Sequence, residues 1–344
     1  MRALIAMLAA GAVVAPYPVV RPGVAIRFPA DHGAHPDYRT EWWYVTGWLK
    51  TADGRERGFQ VTFFRTRPPV DAGNPSRFAA RQVLFAHAAL SDPAVGHLLH
   101  GDRAAREGFG IAQAKVGDGD VAIRNWRMRR LPDGRWSARV TTRDFAFDLM
   151  LTPTQPPMLQ GVAGYSRKGP LPEQASRYYS MPHLRVAGVL NGARVTGEAW
   201  LDREWSSDYL APQAQGWDWT GINFDDGAAL MAFRIRRKGG GVLWAGGSLR
   251  RANGQVVRLA PGDVMFRPLK QWRSAATGAV YPVAQEVRIR LPEGVRAFAL
   301  TPLFPAQELD ARRSGLPVYW EGAVRTLGGR GYLELTGYDR ALSL

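Results

Sequence analysis

Two carboxylic acids stand among tryptophans in the middle of the chain, where residues 200–205 read Trp-Leu-Asp-Arg-Glu-Trp and Trp217 and Trp219 follow. Burial penalises the charged form of a carboxyl group, so an acid in apolar surroundings keeps its proton at neutral pH. Aromatic faces attract a neighbouring cation through their quadrupole. These residue types together indicate a site that donates a proton and shelters the cation that forms.

Asp202 is the candidate acid of this cluster, and Glu204 is its companion carboxyl group. The tryptophans are candidates for lining a ligand site: Trp200, Trp205, Trp217 and Trp219. A structural interpretation is also open, because an ion pair between Asp202 and the adjacent Arg203 would close a strand end. An acid must face an apolar cavity, whereas a structural Asp202 must be fully paired with an arginine.

A second group of candidates occurs early in the chain, where residues 41–44 read Glu-Trp-Trp-Tyr. Successive side chains of a strand point to opposite faces, so two adjacent tryptophans cannot both line one lumen. We expect one of them to plug the end of a barrel, with Arg39 or another arginine stacked on it. Trp43 and Glu41 are kept as further candidates for the ligand site.

The elements that position these residues are predicted to be antiparallel strands. Asp-Gly and Asn-Gly pairs, which suit two-residue hairpin turns, recur at residues 53–54, 118–119, 133–134, 191–192, 226–227 and 253–254. Residues 121–128 and 286–291 alternate apolar with polar side chains. Period-two alternation with frequent turns predicts an all-β protein of barrels or sandwiches.

The chain contains an internal repeat. Residues 42–47 and 217–221 both run from tryptophan to Thr-Gly, and each is followed by an Asp-Gly turn and an apolar strand that ends on Phe-Arg, at 64–65 and 233–234. A period this long predicts two copies of one β domain. We place the first copy at residues 25–204 and the second at 205–344, with the Pro-rich stretch 153–172 inside the first.

The composition of the chain restricts the binding partners and the cellular localisation that we expect. The formal net charge is +15, but only five of the 45 basic residues are Lys and no basic run or nucleic-acid motif occurs, so we expect no nucleic acid and at most peripheral membrane contact. There is no Cys, and two histidine pairs with chelating spacing lack further ligands, so neither a metal nor a cofactor is expected. Residues 1–24 form a signal-like apolar segment and leader, which predicts a periplasmic or secreted protein.

Three stretches resemble the AttH and carotenoid 1,2-hydratase family: residues 35–49, 176–207 and 216–227. The Glu-Trp-Trp-Tyr run and the Asp-Arg-Glu-Trp run carry the likeness. The resemblance implies two lipocalin-like antiparallel β-barrels packed side by side. It also implies one of three activities: hydration of a terminal isoprenoid double bond, which is the family's characterised activity; pericyclic ring closure, which related fungal proteins catalyse; or carriage of a hydrophobic ligand, an alternative that other members beside transporter components leave open.

Two hypotheses about function follow from the resemblance. One is a cofactor-free hydratase or cyclase that acts on an isoprenoid or lipid-like molecule, with Asp202 as the acid and Glu204 or Tyr179 orienting water. His183, beside Tyr179, is then a pocket residue. The alternative is a non-catalytic carrier of a hydrophobic ligand that works with an ABC transporter.

Overall fold

The computed structural model describes residues 16–69 and 74–342. The signal-like apolar run falls within residues 1–15 and so lies outside the described residues. In the described part, regular structure consists of antiparallel strands and three short 3-10 turns, at Ala30–His32, Pro261–Asp263 and Arg312–Ser314. No helix in those residues has the length and apolar character needed to cross a bilayer.

Within the described residues, thirteen strands form the first sheet, with the path order β4-β3-β2-β1-β13-β12-β9-β8-β7-β6-β5. Their bounds are β1 Thr40–Thr51, β2 Glu56–Thr66, β3 Val83–Ser91, β4 Leu98–Arg106, β5 Ala112–Ala114, β6 Asp120–Ile123, β7 Trp126–Arg130, β8 Trp136–Thr141, β9 Ala146–Thr152, β10 Met158–Leu159, β11 Tyr165–Arg167, β12 Ala175–Leu190 and β13 Ala193–Asp208. The short strands β10 and β11 pair with β12 beside this path. Strands β3 and β4 contact β5 and β6, which brings the two ends of the sheet together as a barrel.

Ten strands of the described chain form the second sheet, with the path order β17-β16-β15-β14-β23-β22-β20-β19-β18. Their bounds are β14 Ala214–Phe224, β15 Ala229–Arg237, β16 Val242–Arg250, β17 Val256–Leu259, β18 Val264–Arg273, β19 Val280–Leu291, β20 Gly294–Pro302, β21 Glu308–Asp310, β22 Val318–Thr326 and β23 Gly329–Thr336. The last two strands of each half insert beside its first strand, so both sheets have the same topology. The predicted all-β fold of two antiparallel barrels is confirmed.

The internal repeat is also visible in the strand register. Glu41 of β1 lies opposite Arg65 of β2, and Asp218 of β14 lies opposite Arg234 of β15. The chain passes from the first sheet to the second between Asp208 and Ala214, so the sequence-based division at residue 204 lies inside β13. The Pro-rich stretch 153–172 connects β9 to β12 and therefore belongs to the first sheet.

Each barrel has its own apolar core, and a third apolar cluster lies between them. The first core includes Trp43, Phe59, Trp126 and Trp136, and the second includes Tyr281, Trp320 and Leu333. The cluster between the barrels is built on the outer faces of the central strands and includes Tyr44, Trp48, Tyr178, Trp200, Trp219 and Phe233. Strand alternation explains this division, because neighbouring residues of β1 point alternately into the first barrel and out toward the second.

Candidate active site at the seam between the barrels

A cavity of about 90 Å³ lies at this seam, outside the lumen of either barrel. Both copies contribute to its wall. The residues that line it are Trp42, Tyr44, Thr62, Phe64, His87, Lys168, Tyr178, Asp202, Glu204, Tyr209, Leu210, Trp217, Trp219, Phe233, Ile235, Tyr319, Glu321 and Glu334. Its volume suffices for several water molecules, since one needs at least about 10–15 Å³ of such space.

Asp202 projects from β13 into this cavity and is 3% exposed. Its carboxyl group accepts three hydrogen bonds, from Tyr178 Oη (2.5 Å), Ser180 Oγ (2.5 Å) and Trp200 Nε1 (2.7 Å). Burial raises the pKa of Asp202 to about 7, against the lowering effect of these donors, and the nearby charge of Glu204 raises it further. A carboxyl group with this pKa can both give up and take back a proton near neutral pH.

Arg203 does not pair with Asp202, because the two adjacent side chains point to opposite faces of β13. Arg203 points into the first barrel, where it forms an ion pair with Glu41 and lies over the Trp43 ring at 3.8 Å. The described residues give Asp202 hydrogen-bond donors but no arginine. This geometry corresponds to the acid interpretation of Asp202, not to the structural ion pair.

Glu204 lies two residues farther along β13 and faces the same cavity. The Nζ atom of Lys168 is 3.0 Å from Glu204 Oε1. Lys168 also lies over the rings of Tyr178, at 4.6 Å, and Phe233, at 4.3 Å. The pair therefore brings one negative and one positive charge into an otherwise aromatic wall.

The second barrel supplies two more carboxyl groups, of which Glu321 is buried and Glu334 is half-buried. Glu321 of β22 and Glu334 of β23 are cross-strand neighbours, and both line the cavity. Burial raises the pKa of Glu334 to about 8, and the charges of Asp202 and Glu204 act in the same direction. Burial also raises the pKa of Glu321 well above its usual value, as does the neighbouring Glu334. Both shifts favour the protonated, uncharged form of these carboxyl groups.

Aromatic rings form most of the remaining wall. Trp219 packs edge-on against Tyr44, with ring centres 5.3 Å apart, and its Nε1 donates to Tyr178 Oη at 3.0 Å. Trp42 and Trp217 each pack against Tyr209, at 5.3 and 6.3 Å. A positive charge that develops in this space meets several aromatic faces.

A family model for AttH-like proteins matches residues 19–338. The chain belongs to the AttH-like family. It shares 52% identity with a protein assigned as AttH from Nitrosomonas europaea, whose crystal structure matches 94% of this chain and 100% of its own with a TM-score of 0.87. Kievitone hydratase from Nectria haematococca has the same fold at 15% identity, with 95% and 98% of the two chains covered and a TM-score of 0.68. Comparison with curated proteins found no match.

In this AttH-like protein, six of the sequence candidates do not line the cavity, and four of them point into the first barrel instead. Glu41 is fully buried inside the first barrel, where Arg65 Nε lies 2.5 Å from its Oε1. Trp43 is buried inside the same barrel and is the tryptophan on which an arginine stacks. That arginine is Arg203 rather than Arg39. Their positions on β1 direct both side chains inward, so the ligand-site assignment of Glu41 and Trp43 does not agree with the structure.

Tyr179 and Trp205 also point into the first barrel. Tyr179 Oη is 2.6 Å from Nδ1 of His32, and Trp205 stacks on His35 with ring centres 3.9 Å apart. The ligand-site assignments of Tyr179 and Trp205 therefore differ from the structure. Each residue is adjacent in sequence to a cavity-facing residue, so its side chain points to the opposite face of the strand. Trp200 contacts the site indirectly, through its hydrogen bond to Asp202.

His183 lies between the barrels but faces a separate groove. Its Nδ1 is 2.5 Å from Glu198 Oε1, and its Nε2 is 2.9 Å from the carbonyl oxygen of Ala228 in the second barrel. A bulge between Met181 and Leu184 gives His183 a φ of 53°. The imidazole thus joins the two barrels, and the structure does not bring it into the cavity that holds Asp202.

Several residues of the site were not identified from the sequence: Trp42, Tyr44, Lys168, Tyr178, Glu321 and Glu334. The repeat contained a usable signal for one of them. Trp42 lies opposite Glu204 in the first sheet, and Trp219 lies opposite Glu334 in the second, so the two glutamates occupy equivalent positions. In the part of the chain that the structure describes, no three potential metal ligands come together.

Proposed function

We propose that this AttH-like protein binds a hydrophobic unsaturated small molecule in the seam cavity and adds water across its carbon–carbon double bond, without a cofactor. The observation that carries the proposal is Asp202, a buried carboxyl group with a pKa of about 7 that faces an aromatic cavity. An acid that protonates an alkene must keep its own proton at the working pH. It must therefore be neither exposed to solvent nor held as a carboxylate in a salt bridge. Asp202 meets that requirement.

The reaction proceeds in three steps. Asp202 gives its proton to one alkene carbon, the π electrons form the new C–H bond, and the neighbouring carbon becomes a cation. The rings of Trp42, Trp217 and Trp219 stabilise that cation. A water oxygen then forms the C–O bond, and Glu204 takes the proton that the water loses. Transfer of this proton to Asp202 restores both carboxyl groups.

Lys168 has a defined part in this scheme. Its ion pair with Glu204 keeps a carboxylate available as the base, while Asp202, which has no such partner among the described residues, can remain protonated. General acid–base catalysis requires one group that gives a proton and another that takes one, and the two carboxyl groups have different partners here. The name of kievitone hydratase supports the reaction class, since that protein has the same fold.

The test uses the full chain with a panel of isoprenoid alkenes in deuterated water. Mass spectrometry measures deuterium on carbon and addition of water. We expect both in the wild type and a loss of at least about 100-fold in Asp202→Asn, because proton transfer by a positioned acid contributes about that much. Asp133→Asn, in an exposed hairpin, is the matched control and should retain full activity.

Two results would contradict the proposal. One is an Asp202→Asn variant that is folded and fully active. The other is wild-type protein that binds the alkenes but exchanges no deuterium, which would favour the carrier hypothesis and its transporter partner. Mass spectrometry of lipophilic material that co-purifies with the protein supplies the natural ligand for either case.

A further inference from the structure

Three buried polar groups on one side of the seam cavity have no hydrogen-bond partner among the residues that the structure describes. They are Tyr44 Oη, Thr62 Oγ1 and Glu321 Oε1. Their residues are 6%, 1% and 1% exposed, and all three line the cavity. Native proteins leave few such groups unpaired, because a polar group that is buried without a partner destabilises the fold.

The three groups form one patch. Tyr44 and Thr62 lie directly opposite each other on β1 and β2. Burial raises the pKa of Tyr44, and the charge of Glu321, whose carboxyl group lies within hydrogen-bonding reach across the seam, raises it further. The patch therefore joins the first barrel to the second at the end of the cavity formed by β2 and β22.

The chemistry of the patch is that of hydrogen-bond donors. Tyr44 and Thr62 carry hydroxyl groups that can donate, and burial raises the pKa of Glu321, which favours the protonated form that can donate as well. Tyr319, the neighbour of Glu321 along this wall, already shares its hydroxyl with His87 at 2.8 Å. A ligand oxygen with free lone pairs would satisfy the remaining donors.

We infer that the ligand carries a carbonyl oxygen, which accepts hydrogen bonds from Tyr44, Thr62 and Glu321 while its apolar part lies against the tryptophans. The inference rests on the proposed function, because it concerns the same cavity. It narrows the ligand to an unsaturated carbonyl compound and excludes a pure hydrocarbon.

Charge argues for a neutral oxygen over an anionic one. Of the described residues that line the cavity, Lys168 is the basic one, and it is already paired with Glu204. A carboxylate or phosphate would enter a space that already holds the Glu204–Lys168 ion pair, and among the described lining residues it would find no unpaired lysine or arginine. Burial of such an unpaired charge is far more costly than burial of a carbonyl group that accepts hydrogen bonds.

The experiment compares two acyclic isoprenoids of equal carbon number, the aldehyde citral and the hydrocarbon myrcene. Binding to the full chain is measured by calorimetry, and the carbonyl stretch of bound citral by infrared difference spectroscopy. We expect citral to bind about ten-fold more tightly, the effect of one or two net hydrogen bonds. Its carbonyl stretch should move to lower wavenumber than in water-free solvent.

The variants Glu321→Leu and Tyr44→Phe test the patch. Each should weaken citral binding toward the level of myrcene and reverse part of the infrared shift, while myrcene binding is unchanged. Tyr44→Phe keeps the test decisive if Glu321→Leu fails to fold, because it removes only an unpaired hydroxyl. Tyr281→Phe is the matched control, since it removes another unpaired buried hydroxyl in the core of the second barrel.

Equal binding of citral and myrcene, including no binding of either, would overturn the inference. A citral preference that persists in both variants would overturn it as well, as would tighter binding of the corresponding amine, geranylamine. These readouts are independent of turnover. An Asp202→Asn protein that loses activity but keeps the citral preference supports the carbonyl patch separately from the acid. Loss of activity in Asp202→Asn, together with equal binding of citral and myrcene by the wild type, would overturn the carbonyl patch and leave the acid assignment in place.

Discussion

Glu41 and Asp202 lie on paired neighbouring strands, and both are buried, yet the protein moves their pKa values in opposite directions. Two arginines, Arg65 and Arg203, hold the pKa of Glu41 far below its usual range, although burial alone would raise it. Burial raises the pKa of Asp202 to about 7, because its partners are neutral donors. The difference shows that burial does not decide the direction in which the pKa of a carboxyl group moves; the charge of its partners does.

The second barrel contains a counterpart of Glu41, a buried acid that is paired with two arginines. Asp218 is fully buried and pairs with Arg234 at 2.6 Å and Arg236 at 3.1 Å. Each barrel thus places one acid in an arginine pair on its first strand. The acids without arginine partners, Asp202, Glu321 and Glu334, lie where the barrels meet.

Arg203→Met should produce the largest effect, because it removes one of the two cations that compensate Glu41. We expect a loss of about 3–5 kcal/mol in the free energy of unfolding, as for other broken buried pairs. Urea denaturation followed by tryptophan fluorescence measures it. The control is Arg55→Met, in the exposed pair with Asp53, which should leave stability unchanged. Equal effects of the two substitutions would show that Glu41 needs no compensation.

Asp202→Asn should change how stability depends on pH. The pKa of Asp202 is about 7 in the folded protein and near 4 when unfolded, so the folded state binds the extra proton between these values. The stability that this proton contributes is complete below about pH 4 and is lost as pH rises through about 7. As the pH rises through this window, the free energy of unfolding of the variant should therefore increase by about 2–4 kcal/mol relative to that of the wild type.

Urea denaturation at several pH values checks the slope. Glu41→Gln provides the contrast, because the pKa of Glu41 is lowered on folding. The stability that Glu41 contributes is present above the pKa of this group in the unfolded chain and is lost as the pH falls. The wild type should therefore become increasingly more stable than Glu41→Gln as the pH rises. The same pH slope in both variants would remove the distinction between the two acids.

Tyr178→Phe should have the smallest effect of the three. It removes a donor to Asp202 and the acceptor of Trp219 Nε1, which we expect to cost about 1–2 kcal/mol. Because that donor favours the charged carboxylate, its loss should raise the pKa of Asp202, and the alkaline limit of turnover should move to higher pH. Tyr44→Phe, which removes an unpaired hydroxyl, should leave this limit in place. An unchanged pH profile in Tyr178→Phe would count against Asp202 as the titrating group.

The fold was predictable because its signals are local and repeated. Turn pairs, period-two alternation and the duplicated Phe-Arg strand ends predict two copies of an antiparallel β domain, and the family resemblance favours barrels over sandwiches. Asp202 and Glu204 were predictable because their chemistry stands out among tryptophans. Trp217 and Trp219 were found in the same way.

The rest of the site depends on which residues of each strand face outward. Glu41 and Trp43 look like site residues, but Trp42 and Tyr44 are the ones that reach the cavity. Alternation divides a strand into two faces without saying which face meets the other barrel. Lys168 comes from the Pro-rich connection, and Glu321 comes from the far barrel, so only the packing of the two halves brings them to Asp202.

The adjacency of Asp202 and Arg203 also protects the alignment of β13. A slip of one residue along this strand would exchange every side chain between the two faces of the sheet. Arg203 would then meet Lys168, and Asp202 would meet Glu41, so like charges would be confined together in both places. Oppositely charged neighbours on one strand thus help to fix its register. A register shift in a folding intermediate of the first barrel would bring like charges together on both faces of the sheet.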